Sequence, residues 1–474
     1  MQRRRADTAA GIQPAALLPG AGEVGQLSAA VPLLSRESVS VGCSQRERLI
    51  DAMIDVAATQ GYASASVARV CVAAGVSSAT FYEQFHDRED CLLAAYRTVA
   101  THVLDQTESF GRSRATNGGE WSREARGVLE RTLTVLAEDP SGARVLLLEA
   151  LAGGSRLAAE RATLGEALQR RVQTLLDSPP RGAPVLDLPA EALIGALRSI
   201  ISRQLLHDED DDLAGLADEM VGWLESYASR GPVRWSTGPH TPLESPQPRA
   251  TPPVRARSML PRGRHGVPAA AVMRSQRTRI LHATAEVMMR KGYANSTVTQ
   301  IVSAARISRA VFYAHFTDKQ QTLLEAQQAS TQHALDACNA VFSTTEVWPT
   351  RIWGALRALL GLVAANPTLS HLCLVECYAA GSAAVRNAEE TPRLFTGFLQ
   401  EGYRCRPGAR ERPGLSSEAI TGAIFQMIQR QVARGETDAL PRRLPELAYI
   451  AIAPFTGPGK AAGMIERLSA PQQP

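Results

Sequence analysis

The chain has 474 residues, which at about 100–200 residues per domain is enough for roughly two to four domains. Its formal net charge of +4 is too small to indicate nucleic-acid binding by itself, so only the distribution of charge along the chain can do so. The aromatic content of 5% and the abundance of alanine and leucine argue against a β-sheet protein and favour helices.

The cysteines and the apolar runs argue against two further classes of protein. Seven cysteines are scattered without a CxxC pair, which is atypical of a disulfide-stabilised secreted protein. No run of 18 apolar residues occurs, and prolines and glycines interrupt the region where a signal peptide would have its apolar core. We therefore expect a cytoplasmic protein without a transmembrane helix.

The chain begins with an arm and then a helical motif. Residues 1–43 are rich in alanine, glycine, serine and proline without helical periodicity, so we predict a disordered arm. Apolar residues recur at three-to-four spacing over residues 45–61, which predicts an amphipathic helix. Ser66 is placed to cap a second helix, Gly75 supplies a tight turn, and residues 77–85 form a third helix. This order is typical of a helix-turn-helix motif.

The motif and the helices after it occur twice. Residues 67–93 and 298–324 match at an offset of 231 residues. The segment EALAGGS from Glu149 matches ECYAAGS from Glu376 at an offset of 227, so whole units are duplicated rather than the motif alone. Further matches at the offset of 227 are Glu191 with Glu418, Gly195-Ala196 with Gly422-Ala423, and Arg203-Gln204 with Arg430-Gln431.

Both motifs carry a common set of residues. In the first copy these are Gly61-Tyr62, Ser66-Val67, Val70, Ala74-Gly75-Val76-Ser77, Thr80-Phe81-Tyr82, Phe85, Arg88-Glu89 and Leu92-Leu93. In the second they are Gly292-Tyr293, Thr297-Val298, Ile301, Ala305, Ile307-Ser308, Phe312-Tyr313, Phe316, Lys319 and Leu323-Leu324. This pattern resembles the N-terminal domain of tetracycline-repressor-like (TetR/AcrR-type) transcriptional regulators, and the resemblance covers nearly everything except the arm and the linker.

The resemblance implies an all-α fold of two tandem units. Each unit is expected to have a three-helix helix-turn-helix DNA-binding domain, here called a head, followed by a helical ligand-binding and dimerisation domain. Proline, serine and arginine dominate the segment between the units, which indicates a basic linker. The expected segments are the arm (1–43), the first head (44–93), the first regulatory domain (94–230), the linker (231–272), the second head (273–324), the second regulatory domain (325–467) and a tail (468–474).

In a helix-turn-helix motif the second helix enters the major groove and its N-terminal residues contact base edges. Arg309 is placed for a bidentate contact to guanine, which gives about 1–3 kcal/mol of discrimination. The resemblance implies that the hydroxyls of Tyr82 and Tyr313 contact phosphate. The predicted DNA-contacting residues are Ser66, Arg69, Ser77, Ser78, Thr80, Tyr82 and Arg88 in the first head, and Thr297, Gln300, Ser308, Arg309, Val311, Tyr313, His315 and Lys319 in the second.

The two heads differ in charge. Residues 44–92 carry four basic and seven acidic side chains, a net charge of −3, whereas residues 274–323 carry eight basic and two acidic side chains, a net charge of +6. Because phosphate neutralisation supplies much of the affinity for DNA, we expect the second head to bind more strongly. Arg306 replaces the turn glycine, Gly75, and a left-handed backbone there would cost on the order of 1 kcal/mol.

Members of the resembled family pair two identical chains, so that two heads meet successive major grooves about 34–36 Å apart. We hypothesise that here the two units pair within one chain as a pseudo-dimer, with residues 189–206 and 213–227 against residues 418–432 and 444–452. A further homodimer is left open. The expected partners are an operator in double-stranded DNA and a small-molecule effector, without a cofactor or a membrane. Candidate pocket residues are Leu147, Leu151, Trp353, Leu356, Phe395 and Phe398, although apolar helix faces are most often ordinary core.

Two other functional classes compete with a DNA-binding regulator: an enzyme and a sensor or interaction module. No nucleophile elbow, P-loop, GxGxxG or HExxH motif occurs, so we do not expect an enzyme. Cys373, Cys377 and His371 lie close in sequence, but without a further ligand they do not indicate a metal site. The resemblance implies a sequence-specific, ligand-responsive repressor, because repression is the family's usual mode. The alternative is a ligand sensor or protein-interaction module in which one or both heads have lost DNA binding.

Overall fold

The computed structural model describes residues 44–108, 118–177, 185–207, 213–229, 268–343, 347–405 and 413–470. The predicted arm and most of the predicted linker lie outside these residues. Both units are built from helices, as predicted. The first unit also has a short antiparallel strand pair, β1 (Val185–Leu186) with β2 (Ala228–Ser229). It joins the segment before the last two helices of that unit to the segment after them.

The first unit forms a three-helix head followed by a helical regulatory domain. Its first helix begins at a capping box, in which Ser44 Oγ accepts from the Glu47 N–H at 3.2 Å and Glu47 Oε2 accepts from the Ser44 N–H at 2.7 Å. The helices of the head are α1 (Gln45–Gln60), α2 (Val67–Ala74) and α3 (Ser78–Gln84). Those of the regulatory domain are α4 (Arg88–Glu108), α5 (Gly118–Glu138), α6 (Pro140–Leu147), α7 (Ser155–Asp177), α8 (Ala190–His207) and α9 (Leu213–Glu225).

The helices of the second unit repeat this order, with an additional helix at the end, Pro458–Ser469, and two further differences. Its first helix begins at Ala269, four residues inside the predicted linker, because the alanines after Pro268 have high helix propensity. The counterpart of α7 is broken after Pro392, and a 3₁₀ segment, Thr396–Arg404, follows it. The helices are α10 (Ala269–Lys291), α11 (Val298–Ala305), α12 (Arg309–His315), α13 (Lys319–Phe342), α14 (Trp348–Ala365), α15 (Pro367–Leu374), α16 (Ser382–Leu394), α17 (Pro413–Ala433), α18 (Leu444–Thr456) and α19 (Pro458–Ser469).

The buried apolar residues form a core in each head and a third core in the regulatory domains. Phe81 is at the centre of the first head and Phe312 at the centre of the second, and neither is exposed. The third core is shared between the units, since it includes Trp223 of α9 and Tyr449 of α18. The two regulatory domains are therefore packed as one body of apolar side chains.

The interface between the units is centred on α8 and α17, and its contacts occur in reciprocal pairs. A Cβ added at Gly195 would lie 2.7 Å from Gln426, and one added at the matching Gly422 would lie 2.4 Å from Ser199. Gln426 and Ser199 are themselves at matching positions, offset by 227 residues. Since each helix presents the same surface to the other, the packing has the self-complementary character of an isologous interface, and the glycines allow close approach.

Ion pairs at the same interface are reciprocal as well. Arg203 of α8 pairs with Glu418 of α17 at 3.1 Å, and the matching Arg430 of α17 lies 3.9 Å from Glu191 of α8. Next to these helices, the hydroxyl of Tyr227 donates to the carbonyl oxygen of Ile450 in α18 at 2.8 Å. The contacts between α8 and α17 join the two units, and the pseudo-dimer itself stays a prediction.

Across the described ranges no single helix is long and apolar enough to span a membrane. The consecutive helices α14 and α15 together reach the length and composition of a span, but they are bent by 102° where they meet.

Candidate DNA-binding interface

Side-chain caps fix both recognition helices, α3 and α12. Ser77 Oγ accepts from the Thr80 N–H at 3.0 Å, and Ser308 Oγ accepts from the Val311 N–H at 3.2 Å. The preceding helices are capped in the same way, by Ser66 in the first head and Thr297 in the second. These four predicted contact residues therefore also cap the N-termini of the helices. The N-termini of α2 and α11 are suited to holding a phosphate.

The recognition helices bury one aromatic ring and expose the next. Phe81 and Phe312 are fully buried, whereas Tyr82 is 61% exposed and Tyr313 is 56% exposed. Each tyrosine ring stands edge-on to its neighbouring phenylalanine, with ring centroids 5.4 Å apart. This packing fixes the tyrosines while leaving their hydroxyls open to solvent. Ser77, Ser78, Ser308 and Arg309 are exposed on the same helices, and Thr80 and Val311 are half-buried.

Other predicted contact residues make hydrogen bonds inside their own head. The contacts are Arg69 Nη1 to Ser64 O (3.0 Å), Gln300 Oε1 with the Thr297 N–H (3.1 Å), Arg309 Nη2 to Thr299 Oγ1 (2.5 Å) and His315 Nε2 with Gln276 Oε1 (3.2 Å). Burial and the neighbouring Arg277 lower the pKa of His315, so its imidazole is uncharged at neutral pH. Arg309 is exposed, so it can reach a base by exchanging its hydrogen bond to Thr299 for one to that base.

The basic residue at the start of the fourth helix braces each head. Arg88 donates to the carbonyl oxygens of Tyr62 and Ala65 at 3.4 and 3.2 Å, and it lies 4.3 Å from the centre of the Tyr62 ring. Lys319 donates to the two matching carbonyls at 2.7 and 2.9 Å and lies 4.2 Å from the Tyr293 ring. Burial lowers the pKa of Lys319. Both cations hold the loop before α2 or α11, so their predicted phosphate contact remains a prediction beside this structural role.

The turn before each recognition helix has a left-handed residue. Gly75 has φ of 64° and Arg306 has φ of 51°, and Arg306 is the one non-glycine residue with positive φ among the described residues. The sequence predicted this strain from the replacement of glycine by arginine. Arg279 supports the turn by donating to the carbonyl oxygen of Arg306 at 2.8 Å.

Replacing Arg306 with glycine is expected to stabilise the second head by roughly 0.5–1 kcal/mol, because glycine adopts this conformation without steric cost but is more flexible when unfolded. The reverse change, Gly75→Arg, is expected to destabilise the first head by a similar amount, since a Cβ there has room, with Arg48 4.0 Å away. Hydrogen exchange of the buried amides of each head measures both effects. Unchanged exchange in both variants would contradict the assigned strain.

A glutamate that is buried in the first unit and half-buried in the second joins each head to its regulatory domain, and the sequence did not single it out as a site residue. Glu149 Oε2 accepts from the backbone N–H of Tyr62 at 2.7 Å, and the matching Glu376 accepts from the N–H of Tyr293 at 2.8 Å. Burial raises the pKa of Glu149, although the Tyr62 amide and Arg144 act in the opposite direction. The bonded amide lies in the loop between the first and second helices, so movement of the regulatory domain reaches α2 or α11 directly.

Replacing Glu376 with alanine is expected to leave the Tyr293 N–H without its acceptor, at a cost of about 1–3 kcal/mol. Exchange of that amide should become faster, and release of DNA in response to an effector should weaken because the connection to the head is lost. Glu376→Gln, which keeps an acceptor oxygen, is the control. Equal amide exchange in Glu376→Ala and the parent chain would refute the connection.

An apolar cavity of about 40 Å³ lies in the second regulatory domain, between α14, the 3₁₀ segment Thr396–Arg404 and α17. Three of the predicted pocket residues line it: Leu356, Phe395 and Phe398. The other three do not. Trp353 is buried in the shared core, Leu147 packs against that core, and Leu151 packs beneath the second head.

Within the second regulatory domain, Cys373 is half-buried and Cys377 is buried. Burial raises the pKa of Cys373 to about 11 and that of Cys377 well above its ordinary value, so both are uncharged thiols. Cys373 donates to Ser330 Oγ at 3.5 Å. Within the described ranges no group of three or more histidine, cysteine or acidic residues is placed to hold a metal ion.

The two heads match a known family. The model of bacterial regulatory proteins of the tetR family matches residues 49–95 and again residues 280–326. The chain belongs to the tetR family, with two units in tandem. It is thus a DNA-binding transcriptional regulator, and both matches include the recognition helix together with the first turns of the following helix.

Individual tetR-family relatives match over the length of about one unit. The fatty acid metabolism regulator protein of Bacillus subtilis (strain 168) is 24% identical over 187 residues, which is 38% of this chain and 93% of that protein. Two solved structures are similar. FadR of Bacillus subtilis, in complex with stearoyl-CoA, is 21% identical over 38% of this chain and 98% of its own, with a TM-score of 0.33. The fatty acid degradation regulator FadR of Bacillus halodurans is 20% identical over 39% and 96%, also with a TM-score of 0.33.

Proposed function

We propose that this chain is a ligand-responsive repressor that reads an operator as a covalent pseudo-dimer. The observation that carries the proposal is the reciprocal interface between α8 and α17. The glycine contacts and the Arg203–Glu418 and Arg430–Glu191 pairs recur in both directions across it. Such an interface normally joins two identical chains. Here one chain supplies both sides, so a monomer carries two heads.

The two heads are expected to read unlike half-sites. At matching positions on the recognition helices, the first head carries Ser78 and the second carries Arg309. A serine hydroxyl accepts or donates to several bases, whereas an arginine prefers guanine. The net charges of −3 and +6 also make the second head the stronger binder of phosphate. An asymmetric operator follows, with the second head supplying most of the affinity.

Selection of bound duplexes from a random pool by the purified chain tests this proposal. Two unlike half-sites about one helical turn apart would support it. A single enriched half-site would favour the alternative in which the acidic first head has lost DNA binding. No enrichment of any duplex at low salt would overturn the proposal that the two heads bind an operator. In parallel, sedimentation of the protein–DNA complex should give one chain of 50.9 kDa per duplex, and a mass of two chains would contradict the single-chain pseudo-dimer.

We further propose that the effector is apolar and binds in the second regulatory domain. The walls of its cavity include Leu356, Phe395 and Phe398, which offer no strong hydrogen-bonding group. Because a site without polar groups cannot discriminate by hydrogen bonds, selection would depend on shape and on apolar area.

The cavity of about 40 Å³ is smaller than the neutral apolar dye N-phenyl-1-naphthylamine, so its walls must separate for the dye to bind. Replacing Leu356 with tryptophan, whose ring fills the cavity, is expected to reduce dye binding at least roughly tenfold. Dye fluorescence measures the affinity. The control is Val347→Trp, at a position that is 59% exposed and away from the cavity. Equal dye binding in the two variants would remove this cavity as the effector site.

A further inference from the structure

A second set of contacts between the units is not reciprocal. Arg198 of α8 donates through Nη2 to Glu389 Oε1 of α16 at 2.6 Å, and the hydroxyl of Tyr378 donates to the same oxygen at 2.7 Å. The Arg198 side chain is 15% exposed and that of Glu389 only 3%. Burial alone would lower the pKa of Arg198, but Glu389 and Tyr378 raise it above its ordinary value. These residues form a buried, charged cluster across the interface.

The matching positions hold none of these groups. At the offset of 227, Phe425 corresponds to Arg198, Ala162 to Glu389 and Leu151 to Tyr378. Phe425 instead packs against Phe395 of its own unit, with ring centroids 5.0 Å apart. The cluster therefore exists on one side of the pseudo-symmetric interface and is replaced by apolar residues on the other.

This asymmetry distinguishes the ways in which units could pair. If two first units paired, each Arg198 would face Ala162 and find no acid. If two second units paired, each Glu389 would face Phe425 and lose its cation. Removing one partner of a buried ion pair is strongly unfavourable, because the remaining charge stays buried.

The reciprocal ion pairs make no such distinction. Arg203 would meet Glu191 of another first unit, and Arg430 would meet Glu418 of another second unit, so an arginine and a glutamate meet in every combination. The apolar contacts of α8 and α17 are likewise common to all pairings. The partly exposed ion pairs His207–Glu390 and Arg434–Glu166 also lack counterparts at the matching positions, but solvent screens them, so the buried cluster makes the main difference between the pairings.

We propose that the Arg198–Glu389–Tyr378 cluster selects pairing of a first unit with a second unit over pairing of like units. The proposal rests on the pairing of the two units described above and adds what enforces it. Repulsive placement against the wrong partner is a common source of specificity at interfaces. In a chain that carries two self-complementary surfaces, this selection prevents chains from joining end to end through like units.

A second basic residue adds to the selection. Arg161 of α7 lies near Arg198 and Tyr378, and burial together with the charge of Arg198 lowers its pKa to about 10. Its counterpart in the second unit is Ala388. A pairing of two first units would therefore place two arginines on each side of the interface without an acid at the position of Glu389.

The test uses the whole chain with a protease site inserted within residues 231–267. The chain is folded intact, cut, diluted and concentrated again so that the halves can exchange, and native mass spectrometry then identifies which halves pair. The parent sequence is expected to give pairs of unlike halves. The variant Arg198→Phe with Glu389→Ala carries the counterpart residues at both positions, and its unlike fraction is expected to fall towards the random value of about one half.

Two further variants separate selection from general stability. Arg203→Leu removes one ion pair from each unlike pair, two from a pair of first units and none from a pair of second units. The exchange of two unlike pairs for one pair of each like kind is therefore unchanged in energy, and its halves are expected to remain in unlike pairs. Arg198→Glu with Glu389→Arg reverses the pair and is expected to keep the selection. Both should retain the helical circular dichroism of the parent chain.

Like pairs in the parent sequence would overturn the proposal, and so would exclusively unlike pairs in the Arg198→Phe, Glu389→Ala variant. Unlike pairs found inside an assembly of two chains would support the selection while contradicting the single-chain pseudo-dimer. The two proposals therefore fail by different outcomes of the same measurement.

Discussion

Replacing Tyr313 with alanine is expected to weaken operator binding roughly 10- to 100-fold, whereas Tyr82→Ala is expected to weaken it less than about tenfold. Both tyrosines follow a buried phenylalanine and are exposed to a similar extent, so their local settings are alike. What differs is the head that carries them. A hydrogen bond from hydroxyl to phosphate contributes only when the head is engaged, and the charge of the second head favours its engagement.

Fluorescence anisotropy on the selected duplex, at one fixed salt concentration, measures both losses. The variants Tyr313→Phe and Tyr82→Phe keep the edge contact with the preceding phenylalanine and remove only the hydroxyl. If the hydroxyl donates to phosphate, Tyr313→Phe should reproduce most of the loss seen with alanine. Equal losses at the two tyrosines would contradict the predicted difference between the heads.

The salt dependence of binding gives a second view of the same difference. Each phosphate neutralised by a cation adds about 0.9 to the slope of log affinity against log salt. The second head is expected to make most of the phosphate contacts. Removing a charge there that contacts the DNA backbone, as in Arg290→Gln, should therefore reduce the slope. Neutralising Arg46, in the first head, should change it less. A larger change at Arg46 would assign the stronger electrostatic contact to the first head.

Replacing Arg198 with leucine is expected to destabilise the pairing of the units by about 3 kcal/mol or more. Glu389 would remain buried with Tyr378 as a hydrogen-bond donor but without its cation. The double variant Arg198→Leu with Glu389→Leu removes both charges, and most of the stability should return, because apolar pairs often replace buried ion pairs at little net cost.

Chemical denaturation, followed by tryptophan fluorescence that includes Trp223, Trp348 and Trp353 of the shared core, measures this effect. Arg203→Leu is the matched control, since Arg203 is about as buried as Arg198, at 14% against 15% exposed, while its partner Glu418 is 20% exposed and Glu389 only 3%, so solvent screens the Arg203–Glu418 interaction more. If Arg198→Leu alone were as stable as Arg198→Leu with Glu389→Leu, the buried charge of Glu389 would not depend on Arg198 for compensation.

The sequence by itself determined the local structure and the duplication. Helix periodicity, the serine and threonine caps and the glycine turn depend on residues within a few positions of one another, so they could be read directly. The pairing of the last helices came from the family resemblance and stays a prediction. The match of the two heads at an offset of 231 residues predicted strain at Arg306, which has φ of 51°.

Only the tertiary structure decided which distant groups meet. Glu149 and Tyr62 are 87 residues apart in sequence, and Arg198 and Glu389 are 191 residues apart. No local pattern distinguishes a buried glutamate that accepts a backbone N–H from one on a solvated helix face. The walls of the apolar cavity were predicted only in part for the same reason, since Trp353 and Phe398 look alike in sequence and differ in the helices that pack against them. The direction of Arg88 and Lys319, towards carbonyl oxygens of their own heads, likewise follows from how the fourth helix packs in each unit.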